Sequence, residues 1–156
     1  MVDKALFSSD SAEWETPQEL FDMLNAEFNF DVDVCAEANN TKCKNYFDFL
    51  DDGLLSDWSE FEACWCNPPY GKEIGLWIEK AVKESANDTV VVMLLPARTD
   101  TKYFHNYIWD HEKHQTRPGV ELRFIKGRLK FGGAANSAPF PSMVVIFRPN
   151  NDDMLG

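Results

Sequence analysis

The chain has 156 residues, 44% of them hydrophobic and 13% aromatic, which is the size of one ordinary domain with ample material for a core. No apolar run approaches the ~20 residues that a membrane span needs, and Met1 to Asp10 lacks the basic start and apolar middle of a signal peptide, so the expected location is the cytoplasm. The formal charge of -11 argues against a uniformly anion-binding surface, but it is unevenly spread.

Met1 to Pro96 carries 6 Lys+Arg against 20 Asp+Glu, a net of -14; Ala97 to Arg148 carries 9 against 4, a net of +5; Asp152 and Asp153 add -2. The basic C-terminal third can meet phosphates, and the acidic two-thirds is expected to face away from them. The four cysteines fit a reducing compartment. Cys64 and Cys66 alternate along one short strand and Cys35 and Cys43 lie eight apart, so neither pair has the spacing of a zinc knuckle, and no metal is expected.

Residues 1–12 show no periodicity and read as a loose leader, 13–149 as a single domain and 150–156 as a polar tail. Thr16-Pro17-Gln18-Glu19 has the form of a capping box, with Thr16 as N-cap, and predicts a helix whose buried face holds Leu20, Phe21, Leu24 and Phe28 and which ends near Asn29. Phe30 to Cys35 alternates as a strand does, placing Asp31, Asp33 and Cys35 on one side; Thr41 to Leu50 suggests a second short strand, and Asp52-Gly53 marks a turn.

Cys64-Trp65-Cys66-Asn67-Pro68-Pro69-Tyr70-Gly71 is a short apolar strand running into a stiff turn, because both Asn67 and Pro68 precede a proline. The Asn67 side-chain carbonyl and the Pro68 backbone carbonyl are two acceptors able to converge on one group that donates two hydrogens, such as an exocyclic amine. Tyr70 reads as an exposed face on which a heterocycle stacks.

Ile74, Trp77, Ile78, Ala81 and Val82 trace a helical stripe to about Ala86, and Val90 to Leu95 is an uninterrupted apolar run expected as a central strand covered on both faces. Thr99 or Asp100 is placed to cap a helix bearing Tyr103, Phe104, Tyr107 and Ile108. Asp110 to Gly119 is polar and reads as a mobile loop whose His111 and His114 are solvated. Glu121 to Ile125 and Met143 to Phe147 are two further strands, joined by a basic, glycine-rich stretch from Lys126 to Pro139 that suits close approach to a sugar-phosphate chain.

Asn67-Pro68-Pro69-Tyr70 resembles the signature of S-adenosylmethionine-dependent amino-methyltransferases. With Trp14-x-Thr16-Pro17, Phe30 to Ala36, Asp52-Gly53-Leu54, Asp57-Trp58, Leu95 to Thr101, Gly127 to Phe131 and Pro139 to Ser142, roughly residues 12–148 are similar to the phage-type, Dam-like DNA adenine methyltransferases. The resemblance implies a three-layer, Rossmann-like α/β domain with a mostly parallel sheet. It implies methyl transfer from S-adenosylmethionine to the N6 amine of a flipped-out adenine in double-stranded DNA, with Asn67, Pro68, Pro69 and Tyr70 at the chemistry.

Cofactor contacts are then expected from Trp14, Thr16, Pro17, Asp33, Cys35, Ala36, Asp57 and Trp58, the last two at the cofactor's adenine. Arg98, Lys126, Arg128 and Lys130 are the expected DNA contacts. Where relatives carry a glycine-rich loop after the first strand, this chain has Cys35-Ala36-Glu37-Ala38-Asn39-Asn40 with no glycine. Two other classes compete: a methyltransferase acting on an RNA base, cytosine or a protein amide, and a non-catalytic acidic binding or inhibitor protein.

Overall fold

The computed structural model describes residues 14–149, so the leader and the polar tail lie outside the described residues. Helix α1 spans Gln18–Phe28 and buries Phe21 and Leu24, as the spacing predicts. It stops where Asn29 turns left-handed (φ 54°) and returns its N-H to the Asn25 carbonyl. The capping box does not form. Pro17 is the extended N-cap with no side-chain cap bond, and the Thr16 hydroxyl is used elsewhere.

Five strands make the sheet, β1 (Val32–Asp33), β2 (Ala63–Cys66), β3 (Val90–Pro96), β6 (Val120–Phe124) and β7 (Ser142–Phe147), in the order β1-β2-β3-β7-β6. β1, β2 and β3 pair in parallel, and β7 lies antiparallel to both β3 and β6, so β6 runs with the other three. β2, β3 and β7 are buried almost throughout, which is why their sequences are apolar without alternation.

Successive strand residues point to opposite faces. On one face Trp65 meets Phe21 of α1, ring centroids 5.5 Å apart. On the other, the Cys64 thiol sits 3.7 Å from the Trp58 carbonyl, and Trp58 stacks on Trp77 of helix α2 (Ile74–Ser85) at 6.3 Å. The two helices therefore cover opposite faces, and the domain has the three α/β layers that the sequence implies.

Four further local expectations are corrected. The Phe30 to Cys35 strand pairs as a ladder only over Val32–Asp33, and the second strand within Thr41 to Leu50 reduces to a single bridge between Asp33 and Tyr46. The Asp31 carboxylate accepts the N-H groups of Glu62 and Ala63, and that of Asp33 accepts those of Cys35 and Lys42; side chains thus take backbone donors that a longer ladder would use. The helix around Tyr103 is one π-helical turn, Phe104–Ile108, whose first N-H is met by Thr101 and not by Thr99 or Asp100. Asp110 to Gly119 is not an open loop but contains a small hairpin of β4 (Trp109–Asp110) and β5 (Gln115–Thr116), its tip fastened by the Asp110 carboxylate to the N-H groups of Glu112 and Lys113.

Gly53 sits where the chain turns under α2, and a Cβ there would lie 2.1 Å from the Val34 carbonyl oxygen and 2.8 Å from the Trp77 ring. Gly53→Ala is expected to destabilise the fold by about 1–3 kcal/mol or more through overpacking, read as a lowered denaturant midpoint at an unchanged slope.

Candidate active site

Parallel strands deliver their carboxyl ends to one edge of the sheet, and a cavity of about 260 Å³ opens there. β2 ends at Cys66 and hands over Asn67, Pro68 and Pro69 to its wall; the end of β1 adds Asp33, Cys35 and Ala36; the segment leading into α1 adds Trp14, Glu15 and Thr16. A bridge between Glu15 and Gly132 draws the glycine-rich stretch against the same opening.

Asn67 is held in one orientation. Its Nδ2 donates to the Trp14 carbonyl at 2.5 Å and to the Thr16 hydroxyl at 3.0 Å. A backbone carbonyl can only accept, so the carboxamide nitrogen must face it and the oxygen must turn away. That oxygen, Asn67 Oδ1, is buried and has no hydrogen-bond partner. An unpaired buried acceptor costs about 1–3 kcal/mol, so a donor reaching it would be favoured.

Asp33 is 3% exposed, and burial pushes its carboxyl up to about 6, against the downward pull of the Lys42 and Cys35 N-H groups and the Lys42 charge. The Lys42 side chain is 9% exposed; its ammonium donates to Gln18 Oε1 at 2.9 Å and lies 3.9 Å from the Glu15 carboxylate. Glu37 and Asn40 complete this end of the cavity, where Asn40 Oδ1 accepts the Glu37 N-H. One cation and three acids, Glu15, Asp33 and Glu37, thus share the wall.

All four cysteines are free, and burial raises Cys43 and Cys64 to about 12 and Cys66 well above its ordinary value, so these three stay as neutral thiols. Among the described residues no group of His, Cys, Asp and Glu side chains is arranged to hold a metal ion.

Tyr70 is not the exposed face that the sequence suggests. It is 8% exposed, its hydroxyl donates to the Leu94 carbonyl at 3.0 Å, and Phe131 and Phe140 stand edge-on to its ring at 6.4 and 5.8 Å. Both phenylalanines come from the stretch that follows β6, so the signal for this cover lies in Phe131 and Phe140 themselves, which interrupt an otherwise small and polar segment.

Asp57 and Trp58 are also displaced from their expected role. Trp58 is fully buried, donates its Nε1-H to the Gly53 carbonyl at 2.8 Å and stacks on Trp77, while exposed Asp57 accepts from the N-H and hydroxyl of Ser59. Neither lines the cavity; Trp58 is core and Asp57 closes a local turn. Pro17 likewise ends outside the wall, as the N-cap of α1.

Arg98, Lys126, Arg128 and Lys130 are exposed. The Arg98 guanidinium sits 5.8 Å over the Phe140 ring, and Arg128 reaches the Ala138 carbonyl at 3.5 Å, so both border the aromatic cover of Tyr70. Sequence reasoning misses Glu15, Glu37, Asn40, Lys42, Trp65 and Gly132 as wall residues. The available signal is the polar density just after the first strand, where a glycine loop would be expected instead.

An α/β sheet whose second strand runs into Asn-Pro-Pro-Tyr beside a cavity of mixed charge defines a Rossmann-like methyltransferase domain. The chain belongs to the DNA N-6-adenine-methyltransferase (Dam) family, whose profile matches residues 4–155. It is 30% identical over 143 residues to the DNA N-6-adenine-methyltransferase of Haemophilus phage HP1, an alignment covering 90% of this chain and 81% of that protein. It is 28% identical over 92 residues to the DNA N-6-adenine-methyltransferase of Escherichia phage T1, covering 58% of this chain and 38% of that one.

Trp58→Phe removes the bond to the Gly53 carbonyl and part of a fully buried ring, so it is expected to cost about 1–3 kcal/mol of stability by chemical denaturation. Cofactor affinity, measured by calorimetry below the melting range, should stay unchanged, because Trp58 does not reach the cavity.

Proposed function

We propose that this protein transfers a methyl group from S-adenosylmethionine to the exocyclic N6 amine of adenine in DNA, with Asn67 Oδ1 and the Pro68 carbonyl as the two acceptors of the amine hydrogens. The observation that carries this reading is the buried, unpartnered Oδ1 of Asn67, a residue that lines the cavity. Two hydrogen bonds drawn from the amine favour a tetrahedral nitrogen whose lone pair is free to attack. When bound, the sulfonium would supply an already activated methyl, its S–CH3 bond breaking to a neutral thioether as the N–CH3 bond forms, and the methylated nitrogen would then lose one proton to solvent. The work left to the chain is positioning and electrostatics, and no strong base is required beforehand.

The wall suits the cofactor's amino-acid end. Glu15, Asp33 and Glu37 against Lys42 leave an acidic surround that favours a sulfonium and an ammonium and disfavours phosphates. Asp33 would meet the ammonium, and Lys42, beside the N-terminus of α1, would meet the carboxylate. Trp14, Cys35 and Ala36 contribute the remaining lining, while the nearly buried Thr16 only borders it and spends its hydroxyl on Asn67.

A base inside a duplex cannot reach this edge, so the adenine must flip out, at a cost of a few kcal/mol. Stacking on Tyr70 further requires Phe131 and Phe140 to withdraw from its ring. Arg98, Lys126, Arg128 and Lys130 would hold the phosphates beside it, supported by their exposure and by the same stretch supplying Gly132 to the cavity wall. A non-catalytic inhibitor leaves the orphaned Asn67 oxygen without a purpose. The deciding experiment incubates the purified protein with DNA and labelled S-adenosylmethionine and identifies the methylated base after digestion. N6-methyladenine is expected; methylcytosine alone, or no transfer to any acceptor, would sink the proposal.

Asn67→Ala should lower kcat by about a hundredfold or more, by analogy with deleting one preorganised polar contact to the reacting group. Cofactor affinity should fall by no more than about tenfold, since the carboxamide is assigned to the target amine and the two hydrogen bonds lost to Trp14 and Thr16, roughly 0.5–1.5 kcal/mol each, fall mainly on stability. Single-turnover rates and calorimetry separate the two effects.

Asp33 makes binding depend on pH. Its folded value of about 6 lies above the ordinary 3.8, so the free fold holds the proton more tightly than the unfolded chain; this contribution to stability is full below pH 3.8 and is lost as pH rises through about 6. Ionised Asp33 therefore costs the unliganded fold about 3 kcal/mol, and a cation at the site offsets it. Affinity for S-adenosylmethionine should weaken roughly tenfold from pH 7 to pH 5, and the slope should vanish in Asp33→Asn. A parallel slope in both proteins would remove Asp33 from the contact.

A further inference from the structure

The Asn67 carboxamide is fixed by two groups from a segment about fifty residues earlier, and one of them, Thr16, has in the sequence the look of a helix cap and a cofactor contact. The structure gives it neither a capping bond nor an exposed surface: Thr16 is 4% exposed, the helix begins two residues later with no side-chain cap, and its hydroxyl oxygen receives Asn67 Nδ2 at 3.0 Å. Beside it the Trp14 carbonyl takes the second Nδ2 hydrogen. Trp14 is itself wedged edge-on between Phe131 and Phe140, at 5.4 and 5.2 Å, and Glu15 bridges to Gly132, so the segment that grips the carboxamide is anchored on both sides.

We propose that the Trp14–Thr16 segment is the positioning and specificity element of the reaction: by occupying both Nδ2 hydrogens it fixes Asn67 with its oxygen toward the substrate, so that the site accepts an amine and rejects a carbonyl at the same place on the base. This rests on the adenine-methylation reading above. The chemistry follows from the donor and acceptor inventory. A free asparagine side chain can rotate by half a turn and offer its NH2 group to a keto oxygen as readily as its oxygen to an amine. Here that rotation would set Asn67 Oδ1 against the Trp14 carbonyl, lone pair to lone pair, and leave the Nδ2 hydrogens without those acceptors. Guanine and thymine carry a keto oxygen where adenine and cytosine carry an amine, so a locked carboxamide discriminates between these pairs before any sequence is read.

Thr16→Val keeps the shape and removes the acceptor; Thr16→Ser keeps the acceptor. In the cofactor-free protein, the Asn67 side-chain amide protons should exchange with solvent far more slowly than those of exposed Asn39, and one of the two should shift and exchange faster in Thr16→Val but not in Thr16→Ser. In the assay, Thr16→Val should lose about tenfold in kcat with the dissociation constant for S-adenosylmethionine unchanged, and Thr16→Ser should recover most of it. Asn67→Asp adds a pH signature. An aspartate must be protonated to donate to the Trp14 carbonyl, so its activity relative to the parent should rise as pH falls.

If Thr16→Val instead weakens cofactor binding at full kcat, Thr16 is a cofactor contact and the proposal is wrong. Fast exchange of the Asn67 amide in the parent, or an Asn67→Asp profile parallel to the parent's, would overturn it equally. A parent that transfers no methyl to adenine would defeat the functional reading instead, and the exchange measurement would still report whether the lock exists.

Discussion

The two hydrogen bonds that Asn67 donates are the joint on which this molecule turns. They fasten the segment before α1 to the end of β2, and the rim of the cavity is placed relative to that joint. Through Glu15 and Gly132 it reaches the glycine-rich stretch; through Gln18, at the start of α1, it reaches Lys42 and so the carboxylate of Asp33. Three segments far apart in sequence thus converge by polar contacts, above a sheet that holds together by apolar burial. The division is physically sensible. Burial is non-directional and fixes the layers, whereas hydrogen bonds carry the angles that a reaction needs.

Electrostatics follows the same partition. The acidic part of the chain lines the cavity with Glu15, Asp33 and Glu37, where a cationic ligand suits it, and the basic part stays exposed with Arg98, Lys126, Arg128 and Lys130. A net charge of -11 therefore does not by itself oppose nucleic-acid binding, because attraction and repulsion fall off over about 10 Å at ordinary salt, and on the proposed reading the two populations meet different partners. Asp33 carries the local tension of this arrangement: it is buried enough to prefer its proton and placed where a charged ligand would take that proton's role.

The layers of the fold are legible in the sequence because long buried strands and an amphipathic helix leave strong periodic marks, and β3 and α2 lie within a residue or two of where their patterns put them. The strand end at Cys66 and the stiff turn after it are legible for the same reason. What escapes is decided by side chains acting on distant backbone. Thr16 looks like a cap because capping is local and the competing acceptor role depends on Asn67, which no window around Thr16 contains. Tyr70 looks exposed because a motif does not show its cover, and Phe131 and Phe140 arrive from after β6. Trp58 suggests a ligand contact by analogy, but a tryptophan followed by four residues and then a buried strand has its own core partner in Trp77.

The placement of β7 has a further consequence, for biosynthesis. β3 is buried from Val91 to Pro96, yet one of its edges is closed only by β7, the last described strand, whose Ser142 pairs with Pro96 and whose Phe147 pairs with Val91. While the chain emerges from the ribosome, β1, β2 and β3 can align in order, but the Val91 to Leu95 run keeps an open, apolar edge until some fifty further residues have been made. A nascent chain in that interval is a sticky object. Its exposure lasts as long as translation of the hairpin, β6 and the glycine-rich stretch, so the rate of elongation through that segment bears on aggregation separately from the final stability of the domain.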